Sequence, residues 1–397
     1  MSAPWPLAIT ARSVVTALGT GRDCLRDALR TRRGGLAPCT FPGAPEDIWV
    51  GQVRGLEDAA PPAALSRFDC RNNRLAELAL RSDGFEAAVA EARARHGADR
   101  VAVVVGTSTA GIEETEQAHA RRAPGETALP PSFDYARTHD LQALANYLRA
   151  RLSLTGPALV VSTACTSGAR AIMQAAAMIA AGLADAAVTG GVDSLCRLTL
   201  NGFASLDLLS RGPSRPCAAD RDGISIGEAA GLLLLERPSA ATAGAPLLLG
   251  GGASSDGHHM SSPHPEGLGA VGAMRAALAA AGFTPAEIDY VNLHGTGTRA
   301  NDAMEDRAVH QVFGDAVPCS STKGWMGHTL GASGAVEAIL ATIAMEEGLI
   351  PGCLGIEAPD PAFQARMATS NAPAALRRVM SNSFGFGGSN CSLILGG

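Results

Sequence analysis

The chain has 397 residues, 46% of them hydrophobic, enough to bury one large core or two related ones. Thirty-two basic against 38 acidic side chains leave a net charge of −6, which argues against nucleic acid or an anionic membrane as partner. Aromatic residues at 4% offer no base-stacking surface, and the nine cysteines include no Cys-x-x-Cys pair of the kind that seats zinc. An odd number of cysteines and no basic-then-apolar leader predict a reducing, cytoplasmic setting. No apolar run is long enough to span a bilayer.

In chain order, residues 7–10 predict a first strand, and 14–19 a turn into a helix near 24–30. Glycine and proline make 31–58 a surface loop. Helical spacing marks 66–81. Residues 101–105 form a buried strand that ends in the small-residue loop 106–111, and 130–150 reads as loop and then helix. The strand 159–161 leads through Cys165 to the helix 167–181. A strand at 186–189 ends in Gly190-Gly191, and 231–236 is another. The stretch 238–246 reads as a linker. Beyond it come a strand (247–249), a loop with three histidines (254–267) and a helix (270–281). A strand (290–293), a helix (301–313), a strand near 318–320 and a small-residue helix (331–347) follow. A glycine loop and a last strand (391–395) end the chain. Strands alternate with helices throughout, so the class is α/β. The linker divides 1–237, which carries Cys165, from 238–397, which carries the histidines discussed below, and the two halves read as related.

Cys165 stands at a tight strand-to-helix turn. Leu159-Val160-Val161 is broken by Ser162-Thr163-Ala164, and the helix that follows is apolar almost all round. The first amides of a helix point outward and carry partial positive charge. A thiol placed there is expected to lose its proton more readily and to act as a nucleophile. A buried structural cysteine is the plainer alternative.

Two histidines occupy similar places. His294 opens His294-Gly295-Thr296-Gly297-Thr298 after a strand, and Gly327-His328 precedes Gly331-Ala332-Ser333-Gly334 and a helix. Glycines at such connections let backbone approach a ligand closely. Lys323 is the only lysine in a chain that otherwise uses arginine. That points to a site needing a compact ammonium rather than a planar fork.

Six motifs in order resemble the elongating β-ketoacyl-acyl-carrier-protein synthases, ketosynthases of the thiolase-like fold. They are Ser162-Thr163-Ala164-Cys165-Thr166-Ser167-Gly168, Arg215-Pro216 with Asp220-Arg221-Asp222-Gly223, and Ser254-Ser255-Asp256. The others are His294 to Thr298, Ser321-Thr322-Lys323 with Gly327-His328, and Asn382-Ser383-Phe384-Gly385-Phe386-Gly387-Gly388-Ser389-Asn390. The match covers nearly the whole chain. Residues 106–112 and Lys323-Gly324 look most like ketosynthases of aryl-polyene-type pathways.

The resemblance implies two related βαβ halves in a layered αβαβα arrangement, and a role for each motif residue. Cys165 takes the acyl chain as a thioester. The backbone N–H groups of Cys165 and Phe386 form the oxyanion hole. His294 and His328 bind the malonyl thioester carbonyl and stabilise the enolate left by decarboxylation. Lys323 belongs to a polar network beneath them with Glu337 and Glu305. Thr296 and Thr298 hold the phosphopantetheine arm, and Thr109 sits where some relatives carry a bulky aliphatic gate on the acyl pocket. Arg67 and Arg211 match basic positions that dock the acyl carrier protein. The reaction is a decarboxylative Claisen condensation of malonyl-carrier with the bound chain. It implies no metal and no cofactor, because loss of CO₂ itself generates the nucleophilic carbon and the substrates ride on the carrier's 4′-phosphopantetheine. The assembly implied is a homodimer, or a heterodimer with a chain-length-factor-like homologue.

The departures are Gly324-Trp325-Met326, Asn292-Leu293 before His294, and Thr166 where serine is commoner. They bear on substrate choice. The alternatives are housekeeping fatty-acid elongation and a non-catalytic chain-length factor, which would lack the cysteine. A degradative thiolase would need a second catalytic cysteine where Cys391 does not fall. A cysteine hydrolase would leave one histidine and Lys323 without a task.

Overall fold

The computed structural model describes residues 5–397. Its main strands split by order into two halves of one plan. β1 (Leu7–Thr16), β2 (Val101–Gly106), β3 (Ala158–Val161), β4 (Ala186–Asp193) and β5 (Ala229–Glu236) lie in the order β1-β5-β4-β2-β3. β6 (Leu247–Ser255), β7 (Tyr290–Asn292), β8 (Cys319–Ser320), β9 (Arg378–Gly385) and β10 (Ser389–Gly396) lie in the order β6-β10-β9-β7-β8. The second order repeats the first, with the same parallel and antiparallel pairings. The halves join where β1 pairs antiparallel with β6 through Leu7–Leu248 and Ala8–Leu247.

Helices fill three layers around the two halves of this continuous sheet. α1 (Arg71–Arg81), α2 (Phe85–His96) and α3 (Gln142–Arg151) cover the outer face of the first half. α4 (Ser167–Ala180) and α7 (Ser333–Glu347) pack on each other between the halves, and α5 (Leu268–Ala281) and α6 (Arg299–Phe313) cover the second. The sequence explains the layering. In β2, Ala102 and Val104 face the central core while Val101, Val103 and Val105 face the outer one. A strand buried on both faces needs an unbroken apolar run. α7 is buried from Ser333 to Ala344, as a middle-layer helix must be, with Glu337 the one charged side chain in that stretch. Small residues bring its start against that of α4: a Cβ on Gly334 would lie 2.7 Å from the Ala169 nitrogen. That approach places the turn carrying Cys165 beside the turn carrying His328.

Several boundaries differ from the sequence expectation. Val14, Val15 and Thr16 continue β1 rather than turning, because β-branched residues favour a buried strand. The 31–58 loop contains short strands at Ala37–Pro38 and Trp49–Gly51. Helix α2 and strand β9 lie where no element was assigned. β4 runs through Gly190-Gly191 and β6 through Gly250-Gly251-Gly252, so these glycines are packing devices rather than stops. A Cβ on Gly190 would lie 2.0 Å from the Gly231 carbonyl oxygen, and one on Gly252 would lie 2.3 Å from Ala273 in α5. No helix among the described residues is long and apolar enough to cross a membrane.

Candidate active site

Cys165 sits on a sharp bend between β3 and α4. Ala164 before it takes a left-handed conformation, φ 52°, which costs a non-glycine residue about 1–3 kcal/mol unless its surroundings enforce it. They do. The Ser167 hydroxyl donates to the Ala164 carbonyl at 2.5 Å and accepts from the Thr163 N–H at 2.9 Å. Gly385 closes over the bend, where a Cβ would lie 3.2 Å from the Cys165 nitrogen.

Two imidazoles meet the thiol. His328 Nε2 is 3.0 Å from Cys165 Sγ, and its Nδ1 is 3.0 Å from Ser333 Oγ. The His294 ring stands nearly perpendicular to that of His328, 5.2 Å between centroids. One side-chain donor atom from each of Cys165, His294 and His328 lies within 4.8 Å of the other two. His294 Nδ1 is buried without a hydrogen-bond partner among the described residues. Beneath them Lys323 Nζ donates to Glu337 Oε1 at 2.5 Å, both side chains 2% exposed. Glu305 lies within reach of the Lys323 charge. Its carboxylate accepts the backbone N–H of His294 and of Gly295, each at 2.7 Å, and so fixes the turn that carries His294.

Burial sets the charges of this cluster. Both imidazoles are held well below the ordinary histidine value, first by burial and then by the nearby Lys323 ammonium, so both are neutral at pH 7. Burial pushes Glu337 up to about 7 against the pull of Lys323, and Glu305 up to about 7 against its two backbone donors. It also overturns the expectation of a readily ionised cysteine. The Cys165 thiol is pushed up to about 12 by burial, and Asp193 pushes the same way. Lys323 and the N–H groups of Phe386 and Cys165 only partly offset this. Position at a helix start acts on a thiolate, but desolvation at this depth outweighs it. The rate of Cys165 alkylation by iodoacetamide should therefore rise about tenfold per pH unit from 7 to 10 without levelling. A plateau near pH 8 would show that burial does not govern this thiol.

Cys165 stands where two cavities meet, and Phe203 and Phe386, stacked 5.6 Å apart, line both. The first, about 420 Å³, also has His294, His328, Thr296 and Thr298 in its wall. The two threonine hydroxyls are 3.0 Å apart, and Thr298 caps α6 by accepting the Asn301 N–H. The second, about 280 Å³, is lined by Thr109, Ser108, Ala164 and Leu330. Arg67 and Arg211 lie outside both cavities at exposed positions, Arg67 paired with Asp134 at 2.6 Å. Trp325, one of the departures, also lines neither; it is buried in the central core and donates to the Gly352 carbonyl.

Four residues of the site carried no assignment from sequence. Ser333 orients His328, Phe203 faces Phe386, and His259 of the three-histidine loop lines the first cavity. The same loop accepts the Gly387 N–H at the Met260 carbonyl, 2.7 Å away. The fourth, Asp193, ends β4. An acid at the carboxyl end of a buried strand, where α/β sheets place their sites, was the available signal.

A buried thiol facing two neutral imidazoles, set between two pseudo-equivalent βαβ halves, defines a condensing enzyme of the thiolase-like class. The comparisons agree with this. Residues 1–241 match the family model "Beta-ketoacyl synthase, N-terminal domain", and 247–357 match "Beta-ketoacyl synthase, C-terminal domain". The chain belongs to the β-ketoacyl synthase family, whose members are acyltransferases that use no cofactor. It is 40% identical over 312 residues to 3-oxoacyl-[acyl-carrier-protein] synthase 2 of Rhizobium meliloti (strain 1021), covering 74% of this chain and 73% of that one. Among solved structures it is similar to the ketosynthase ApeO in complex with its chain length factor ApeC from Xenorhabdus doucetiae. The TM-score is 0.89 and the identity 42%, over 98% of this chain and 97% of that one. The ishigamide ketosynthase/chain length factor gives 0.88 at 30% identity, over 98% of each.

Proposed function

We propose that this ketosynthase extends conjugated, aryl-primed acyl chains by decarboxylative condensation with malonyl-carrier. The observation that carries the condensation is the Cys165 thiol, at the junction of two cavities, facing two buried imidazoles. In the first half-reaction the Cys165 sulfur attacks the acyl thioester and its proton passes to His328 Nε2. From there the proton goes to the departing pantetheine sulfur. Hydroxyls accept or donate as required, so Ser333 serves either tautomer of His328. In the second, malonyl-carrier loses CO₂ and the enolate oxygen is met by N–H groups of His294 and His328. Its carbon attacks the acyl carbonyl, whose oxyanion faces the N–H groups of Cys165 and Phe386. The Cys165 sulfur leaves and takes up a proton, giving 3-oxoacyl-carrier.

The choice of chain rests on the 42% identity to a ketosynthase solved with a chain length factor, and on Thr109 in the wall of the second cavity. Threonine is smaller than the aliphatic gate it replaces and leaves room for a chain that cannot bend. The first cavity takes the pantetheine arm along Thr296 and Thr298, Arg67 and Arg211 receive the acyl carrier protein, and a second copy or a chain-length-factor-like homologue completes the assembly. The same reading gives the first 237 residues to the cysteine half and 238–397 to the histidine half. It places the protein in the cytoplasm, where its nine unpaired cysteines suit a reducing setting. Housekeeping elongation is the second reading, supported by the 40% identity to 3-oxoacyl-[acyl-carrier-protein] synthase 2.

The test is mass spectrometry of products with conjugated and saturated carrier-bound primers. Wild type should favour conjugated ones. Thr109→Ile should shorten the products without slowing the first condensation. Thr109→Val, which removes the hydroxyl without adding length, separates bulk from lost hydrogen bonds. Equal rates on saturated primers, with product length unchanged in Thr109→Ile, would favour housekeeping elongation instead.

A further inference from the structure

Asp193 is wholly buried at the end of β4, and six neutral donors converge on its carboxylate. Oδ1 accepts the Thr107 hydroxyl at 2.7 Å, the Ser108 N–H at 2.8 Å, and the Thr109 N–H and hydroxyl, both at 2.9 Å. Oδ2 accepts the Ser108 hydroxyl and, at 2.6 Å, the Gly331 N–H. These donors come from two places far apart in the chain. One is the loop after β2. The other is the turn between His328 and α7.

Both places border the second cavity, Ser108 and Thr109 on one side and Leu330 on the other. The contact has no slack. A Cβ on Gly331 would lie 2.7 Å from Asp193 Oδ2 and 3.1 Å from the Ser108 nitrogen. The Thr109 hydroxyl also accepts the Ser194 N–H at 3.1 Å, so the side chain is tied at both its polar faces. Leu330 and Ala110, flanking the clamped groups, hold left-handed conformations at φ 51° and 44°. Such conformations persist where neighbouring bonds enforce them.

We propose that Asp193 is a positioning residue that sets chain selectivity: its carboxylate clamps the Thr107–Thr109 loop to the His328 turn and thereby fixes the width of the acyl cavity. This rests on reading the Thr109–Leu330 cavity as the acyl pocket. A carboxylate suits the task because both its oxygens accept, whereas an amide offers one acceptor and turns a donor towards the other set of N–H and hydroxyl groups. Loosening the clamp widens the cavity, so longer chains gain over shorter ones.

The experiment compares Cys165 alkylation by N-methyl and N-octyl iodoacetamide, followed by intact-protein mass, in wild type, Asp193→Asn and Gly331→Ala. Taking the ratio of the two rates cancels any change in thiol ionisation and needs no turnover. The octyl-to-methyl ratio should rise about tenfold in both variants, the scale on which hydrophobic pockets discriminate by about one methylene. Circular dichroism identifies a variant that has not folded, and the other then decides. A ratio that stays at the wild-type value or falls in a folded variant overturns the clamp. The proposed function is tested apart from this: wild type that alkylates normally but condenses no carrier-bound chain would sink that reading and leave the clamp standing or falling on the ratio.

Discussion

Cys165→Ala is expected to abolish condensation and leave the fold intact. Removing the nucleophile of a concerted catalytic set typically costs about 10⁴-fold or more in turnover, and no other thiol lines either cavity. The fold should survive because the bend is enforced by backbone and by Ser167, not by the sulfur. The thiol's one side-chain hydrogen bond among the described residues is to His328, which keeps its second bond to Ser333. A buried thiol replaced by a methyl leaves a small gap, so the thermal midpoint should move by only a few degrees, ~1 kcal/mol of stability. The measurement is 3-oxoacyl-carrier formation beside a thermal melt. Normal product formation by the folded variant would remove Cys165 as nucleophile.

The cysteine, both histidines and the lysine were legible because each lies in a connection among small residues, Cys165, His294 and Lys323 just past a strand and His328 just past the short helix Lys323–Met326. The repeat of strand order was legible only as alternation. What glycines did inside β4 and β6 was not, since their reason is neighbouring atoms that come within 2.0–3.1 Å of a missing Cβ. The thiol's ionisation was misread for a related cause. The helix start is a local feature, whereas the shift of Cys165 to about 12 comes from its burial deep in the fold, with the Asp193 charge adding to it and the Phe386 N–H from the other half opposing it. Glu305 falls in the neighbourhood expected of it, within reach of the Lys323 charge, and has a further task there. A carboxylate six residues into a helix gives no sign in sequence that it holds the backbone of His294, eleven positions away. Trp325 stands out in sequence as a departure from the family pattern beside Lys323, but its neighbours are core residues.

The two histidines should separate when each is replaced. His294→Ala should block malonyl decarboxylation and leave acylation of Cys165 close to wild type. Losing one donor to a developing oxyanion typically costs about 10²–10³ in rate. His294 makes no hydrogen bond to the sulfur among the described residues, and its unpartnered Nδ1 leaves the ring without a relay for the thiol proton. His328→Ala should lose decarboxylation by the same factor and acylation as well. Its Nε2 at 3.0 Å is the nearest base to a thiol that does not ionise by itself near neutral pH. The pH dependence follows from the direction of the shifts. Both imidazoles are held well below the ordinary histidine value, so lowering the pH from 8 to 6 charges neither, and any change in decarboxylation across that range should come from Glu305 and Glu337, both lifted to about 7. Release of labelled CO₂ from malonyl-carrier reads one half-reaction, and intact mass after exposure to acyl-carrier reads the other. If His294→Ala fails at acylation and still decarboxylates, the roles are exchanged. If decarboxylation falls away between pH 8 and 6 and still does so in Glu305→Gln and Glu337→Gln, which remove the two carboxyls lifted to about 7, an imidazole is titrating there and the neutral pair is wrong.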